Sequence, residues 1–311
     1  MMNYEEFKEK VEEEFKEFLG EPFKDETAVI KNIPVINGTK DYITLESDNM
    51  PQYSCYSIPA DEVYEAYLFT RDFDYCMNKI GREYRIMKED NVSIINLELL
   101  KSNVILTLIN TEFNKKLLEI VPHREFEDLS VIYLIRNMEY PICESHYSPY
   151  VSNELAKKYN LSEEELFELA KENTDKLTHI RIEREDQLFR TIGVSEEKIE
   201  HFMKDIDNEK MMYSIRNVDG LFATGAMLYA EKFHLLAETL DRDLYIFPSS
   251  IHELIAISQK SDTLEAHVKT VHEVNIENVD LNERLSNSVY KYDRATRKVS
   301  IAYKSDIPIT E

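Results

Sequence analysis

Glycine and cysteine are both scarce in this chain, with six glycines and three cysteines in 311 residues. So few glycines, alongside nine prolines, argue against long flexible linkers. Cys55, Cys76 and Cys143 are odd in number, scattered and without a CxxC pair. They exclude a disulfide scaffold and a structural zinc site, and read as reduced thiols packed like small hydrophobes. Long hydrophobic runs are missing too. The longest strand-like run, Asn103 to Asn110, falls far short of the ~18–20 apolar residues that cross a bilayer. Tyr4 to Leu19 is heavily charged, with no apolar stretch and no small-residue cleavage site, so no secretory signal is expected and the chain is read as cytoplasmic. GxGxxG, Walker A and GxSxG patterns are absent, as are internal repeats.

Charge of one sign dominates. The net charge is −23, and the acids are spread along the chain rather than gathered in a tail. Such a surface repels nucleic-acid phosphates and anionic membranes and favours a basic protein partner, or serves only solubility. With 43% apolar and 31% charged residues the composition is globular, and the length suits one large domain or two ordinary ones.

Asn3 with Glu6 forms a capping box, and Tyr4, Phe7, Val11, Phe15, Phe18 and Leu19 follow as one helical stripe, ended by Gly20 and Pro22. Short β-type runs over 27–59 flank an Asn37-Gly38 hairpin signal. A helix is expected over 61–80, stopping at Gly81, then strands over 93–99, 103–109 and 129–135. The last two are nearly continuous apolar runs with a short helix between them, which suggests a crossover. Ser162 and Glu165 form a second capping box; Ser195 starts a helix with Ile199, Phe202 and Met203 facing inward. Further on come a strand over 211–216, a turn at Asp219-Gly220, an amphipathic helix over 229–240, a helix over 263–276, and a terminal hairpin over 287–303. The whole reads as α+β, mixed sheets with packed helices in two associated lobes, 1–148 and 149–311, with a soft boundary between them.

The densest group of chemically capable side chains is Ser249, Ser250, His252 and Glu253, behind the strand-like Leu244 to Phe247 and Pro248. Ser250-Ile-His-Glu253 fits a capping box, so a helix cap competes with a ligand site; neighbours in sequence rarely converge as a triad. His123, after Pro122, is a second candidate at the mouth of the buried strand pair. His267 and His272 are five apart, and Cys143 with His146 lacks a second pair, so no metal and no cofactor is expected.

Strand Met211 to Asn217, Gly225-Ala226-Met227-Leu228, the helix to Leu240 and the Asp243 to Glu253 run together resemble an uncharacterised bacterial domain-of-unknown-function family, of the 5688 type. Val121-Pro-His123, Asp128 to Tyr133 and the N-terminal helix share the resemblance, which touches most of the chain and is most specific at Pro-Ser-Ser-Ile-His-Glu. It implies one full-length family and brings no activity or catalytic residue. Three functions stay open: a non-enzymatic protein-binding or regulatory protein, an enzyme of unrecognised type sited at Ser249 to Glu253, and an acidic mimic of nucleic acid acting on a basic partner.

Overall fold

The computed structural model describes residues 1–23, 25–46, 57–89, 96–136, 150–204, 211–248, 250–258 and 264–310. The chain is α+β and divides into two compact units, Met1–Leu100 with Met138–Tyr147, and Lys101–Asn137 with Ser148–Glu311.

The first unit opens with α1 (Tyr4–Leu19), and the Asn3/Glu6 capping box forms as the sequence predicts. Phe7, Val11, Phe15 and Leu19 are fully buried. Strands β1 (Thr27–Val35) and β2 (Gly38–Glu46) make an antiparallel hairpin in which Asn37 takes the left-handed conformation, and β3 (Ser57–Pro59) pairs with β2. Two helices, α2 (Ala60–Thr70) and α3 (Phe73–Glu89), stand where one was expected. Arg71 turns left-handed and Asp72 accepts the Tyr75 N–H at 2.9 Å, which restarts the helix. Gly81 does not stop α3. A Cβ there would lie 2.5 Å from the Phe18 carbonyl, so the glycine permits close approach to the end of α1. Arg85 Nη1 donates to the same carbonyl at 2.7 Å, and the buried Tyr84 hydroxyl donates to Ile43 O at 2.6 Å. α4 (Leu97–Asn103) replaces the later part of the strand expected over 93–99; residues 93–95 of it lie outside the described residues.

In the second unit, β4 (Val104–Asn110) is followed by α5 (Lys115–Leu118), β5 (His123–Phe126) and β6 (Leu129–Ile135), which form a three-stranded sheet in the order β4-β6-β5. Every residue of β4 and β6 is buried, as their apolar runs predict. The two strands pair antiparallel, so the expected crossover is not made. A continuous apolar run reports burial of both faces, not strand sense.

Helices α6 (Asn153–Lys158) and α7 (Glu163–Thr178) follow, α7 carrying the Ser162/Glu165 box and packing on β4. Next come β7 (Arg181–Arg184), α8 (Glu185–Thr191), α9 (Glu196–Met203) and β8 (Met212–Arg216). Ser195 precedes α9 without a side-chain capping bond, and Phe202 is exposed rather than inward, its ring 6.0 Å from Phe189. The unit closes with α10 (Ala230–Leu240), β9 (Leu244–Phe247), β10 (Glu253–Ser258), α11 (Leu264–Asn278), β11 (Val289–Asp293) and β12 (Lys298–Tyr303). Its six-stranded antiparallel sheet runs β12-β11-β9-β10-β8-β7. Val271 of α11 packs on Tyr245, Ile257 and Val289 on one face. Phe233 of α10 stacks on Tyr292, 5.9 Å between ring centres. Asp128, at the β5–β6 turn, accepts the hydroxyls of Ser286, Ser288 and Tyr290 and so ties the small sheet to β11.

Candidate functional site

The Pro248 to His252 stretch is the loop between β9 and β10, which pair directly. Ser249 lies outside the described residues. Ser250 is buried, and its hydroxyl oxygen accepts the N–H groups of His252 at 3.0 Å and Glu253 at 3.2 Å, while its own N–H donates to Glu253 O at 3.2 Å. This is a serine turn leading into a strand, not a helix cap. The residues after Glu253 are Leu254-Ile255-Ala256-Ile257, which pair with β8 on one side and β9 on the other. Glu253 sends its side chain across to β8, where it accepts the Ser214 hydroxyl and stands 4.0 Å from Arg216 Nε. Arg216 continues to Glu183 on β7 at 3.7 Å.

His252 is the hub. Its Nδ1 accepts the Phe222 N–H at 3.2 Å, and because an amide can only donate, the ring is neutral with its hydrogen on Nε2. The imidazole packs on the Phe222 ring at 5.3 Å, and Nε2 stands 3.8 Å from Glu283. Burial pushes the His252 pKa down, against the pull of Glu283 and Asp219. Phe222 sits in the left-handed conformation, φ 51°, at the end of a turn in which Gly220 has φ 75° and Asp219 accepts the Leu221 N–H at 3.2 Å. Asp219 is itself held by Arg136 at 2.5 Å.

What His252 pins is the start of the 3-10 segment Ala223–Leu228. That segment closes the outer edge of β4. Thr224 Oγ1 accepts the Leu108 N–H at 3.0 Å, donates to Leu108 O at 3.1 Å and meets Thr107 Oγ1 at 2.9 Å. Thr174 of α7 accepts the Leu106 N–H at 2.9 Å, and Asn173 donates to Val104 O at 3.0 Å. A Cβ on Gly225 would sit 2.8 Å from Leu106 O. The glycine between Thr224 and Ala226 is therefore a close-approach residue.

His123 begins β5 and is exposed; its Nδ1 donates to Val121 O at 3.1 Å. Beside it Arg124 holds Glu163 with two bonds of 2.7 Å and lies 3.6 Å over the Phe167 ring, while the Tyr133 hydroxyl also donates to Glu163. Burial would raise the Glu163 pKa, but the bonds from Arg124 and Tyr133 prevail and lower it. No hydrogen bond or ion pair among the described residues joins His123 to Ser250, His252 or Glu253. The four candidates thus form two places, not one.

A third place was not singled out from the sequence. Along α7 an open groove of about 740 Å³ is walled by Glu164, Glu165, Glu168, Glu172, Asp175 and Glu231, six carboxylates against three lysines, over Leu161, Leu169 and Tyr229. The Ser162 N–H and hydroxyl lower the Glu165 pKa, and Lys176 lowers that of Glu172, so both stay ionised. Glu168 and Glu231 make no ion pair among the described residues. The signal was present as acids at helical spacing, Glu164, Glu168, Glu172 and Asp175. The partners of His252 gave none, since Phe222 and Glu283 are each about thirty residues away in sequence.

A family model described as a family of unknown function, DUF5688, matches residues 4–294. No curated protein and no solved structure matches the chain. The matched span takes in the α1 stripe, the Gly225 segment and the Ser250 to Glu253 turn, and the chain belongs to the DUF5688 family.

Proposed function

We propose that this chain is a non-enzymatic binding protein that receives a basic segment of a partner protein in the acidic groove along α7. The observation that carries the proposal is the groove's composition: six carboxylates on the walls over an apolar floor that includes Leu161 and Leu169. Desolvating lysine or arginine stems on such a floor, with their heads on carboxylates, adds affinity to long-range steering. The chemistry at Ser250 to Glu253 supports the same reading. The Ser250 oxygen is engaged by two backbone N–H groups, His252 Nδ1 by a third, and the Glu253 carboxylate by Ser214. A nucleophile and its base would need those atoms available to each other.

The row Glu164, Glu168 and Glu172 climbs about 6 Å per step, which favours mimicry of a phosphate backbone as a second reading. Lys101, Lys171 and Lys176 interrupt the groove and weigh against it.

The test is capture of partners from native lysate by the full chain and by a Glu168→Lys, Glu231→Lys variant, at low and high salt. A stoichiometric basic partner, weakened by salt and lost from the variant, is expected. A partner held equally by both proteins would overturn the assignment to this groove.

A further inference from the structure

The 3-10 segment Ala223–Leu228 packs on β4, β8 and β10, and its residues from Ala223 to Met227 are buried. The turn that leads into it is held under tension. Phe222 takes φ 51° and Gly220 φ 75°. Asn217 is buried and donates Nδ2 to Leu221 O, yet its Oδ1 has no hydrogen-bond partner. A left-handed non-glycine residue and an unpaired buried acceptor both cost free energy that neighbouring contacts must offset. One such contact is the bond from the Phe222 N–H to His252 Nδ1, at 3.2 Å.

That bond depends on a proton. A neutral imidazole accepts at Nδ1, whereas an imidazolium donates at both nitrogens, so Nδ1–H and the Phe222 N–H would face each other as two donors. The charged groups nearest the ring are acids: Glu283, 3.8 Å from Nε2, and Asp219 of the turn itself. Asp219 is bound by Arg136. Glu253, next in the chain, accepts the Ser214 hydroxyl and lies 4.0 Å from Arg216. Glu283 and Asp219 favour the charged ring, but burial outweighs them while the turn is closed. Opening the turn returns water to the ring and removes that penalty.

We propose that His252 is a proton-sensitive latch on this turn: protonation releases Phe222, the 3-10 segment lifts, and the β4 edge that Thr224 closes at Leu108 is uncovered. β4 is the outer strand of its sheet, and freed N–H and C=O groups on such a strand are a template for pairing with another. The latch is separate from the groove along α7 and stands or falls without it. It differs from a general loss of stability in acid because it is confined to residues 219–228 and 104–110.

The test is hydrogen exchange of the full chain, read by mass spectrometry at pH 7.5 and pH 5.5, with rates corrected for the pH dependence of the chemical step. One coupled proton raises the open population by up to about ten-fold per pH unit below about 6.5, until the folded value is reached. Exchange in residues 219–228 and at Leu108 should therefore speed up by up to about ten-fold at pH 5.5, while β6 (Leu129–Ile135) and β2 (Gly38–Glu46) keep their corrected rates. His252→Asn, whose acceptor does not titrate, should show no such change. Unchanged exchange in residues 219–228 of the wild type would overturn the proposal, as would equal acceleration in β6 and β2, or the same acceleration in His252→Asn. Acceleration in 219–228 with Leu108 still protected would overturn the link to β4. The comparison of segments within the wild type decides the matter even where the variant fails to fold.

Discussion

Single atoms decide several features of this chain. Gly225 is one: Ala there would press its Cβ to 2.8 Å from both Leu106 O and Leu106 Cδ1. Overpacking of this kind costs typically about 1–3 kcal/mol, so Gly225→Ala should lower the unfolding free energy by that much, read as a lower denaturant midpoint with an unchanged slope. Full stability in that variant would show that the Ala223–Leu228 segment can move off β4 freely. His252 is another. Its folded pKa lies below the reference 6.5, so its neutral form favours the fold. The contribution is complete above about pH 6.5 and is lost as pH falls through the folded value. A protonated Nδ1 cannot accept the Phe222 N–H. His252→Asn keeps an acceptor that does not titrate. The wild type should therefore lose more stability between about pH 7.5 and pH 5 than this variant, and parallel losses would contradict the role given to His252.

At the scale of the element, the same letters lead to different structures. Ser-x-x-Glu occurs at 162–165 and at 250–253. The first is followed by Leu166, Leu169 and Ala170 at helical spacing and caps α7. The second is followed by four contiguous apolar residues and opens β10. The capping pattern is legible only together with the period behind it. Gly81 gives the same lesson, since its place inside α3 depends on the Phe18 carbonyl, sixty-three residues earlier. Local signals otherwise served well. The Asn3/Glu6 box, the Asn37-Gly38 turn and the terminal hairpin all form where the residues predict them. Closure of the β4 edge by side chains was not legible, because Thr174 and Thr224 are ordinary residues until their partners are known. Thr224→Val keeps the shape but leaves the Leu108 N–H buried without an acceptor. A loss of about 1–3 kcal/mol is expected, with faster amide exchange at Leu108. Unaltered exchange there would mean that another group satisfies the amide.

Over the whole molecule, the proposal of a basic partner starts from a net charge of −23. Spread evenly along the sequence, it pointed to no particular surface. The fold gives it one, because α7 brings acids four residues apart onto a single face and α10 adds Glu231 to the same groove. The chemically richest stretch of sequence, Ser250 to Glu253, is occupied in holding strands and turns together. The most direct measurement is hydrogen exchange on the full chain alone and with its captured partner bound. Protection should concentrate on Glu163 to Thr178 and on Tyr229 to Glu231, and should fade with added salt. Protection confined to other segments, with α7 exchanging as in the free protein, would contradict the account.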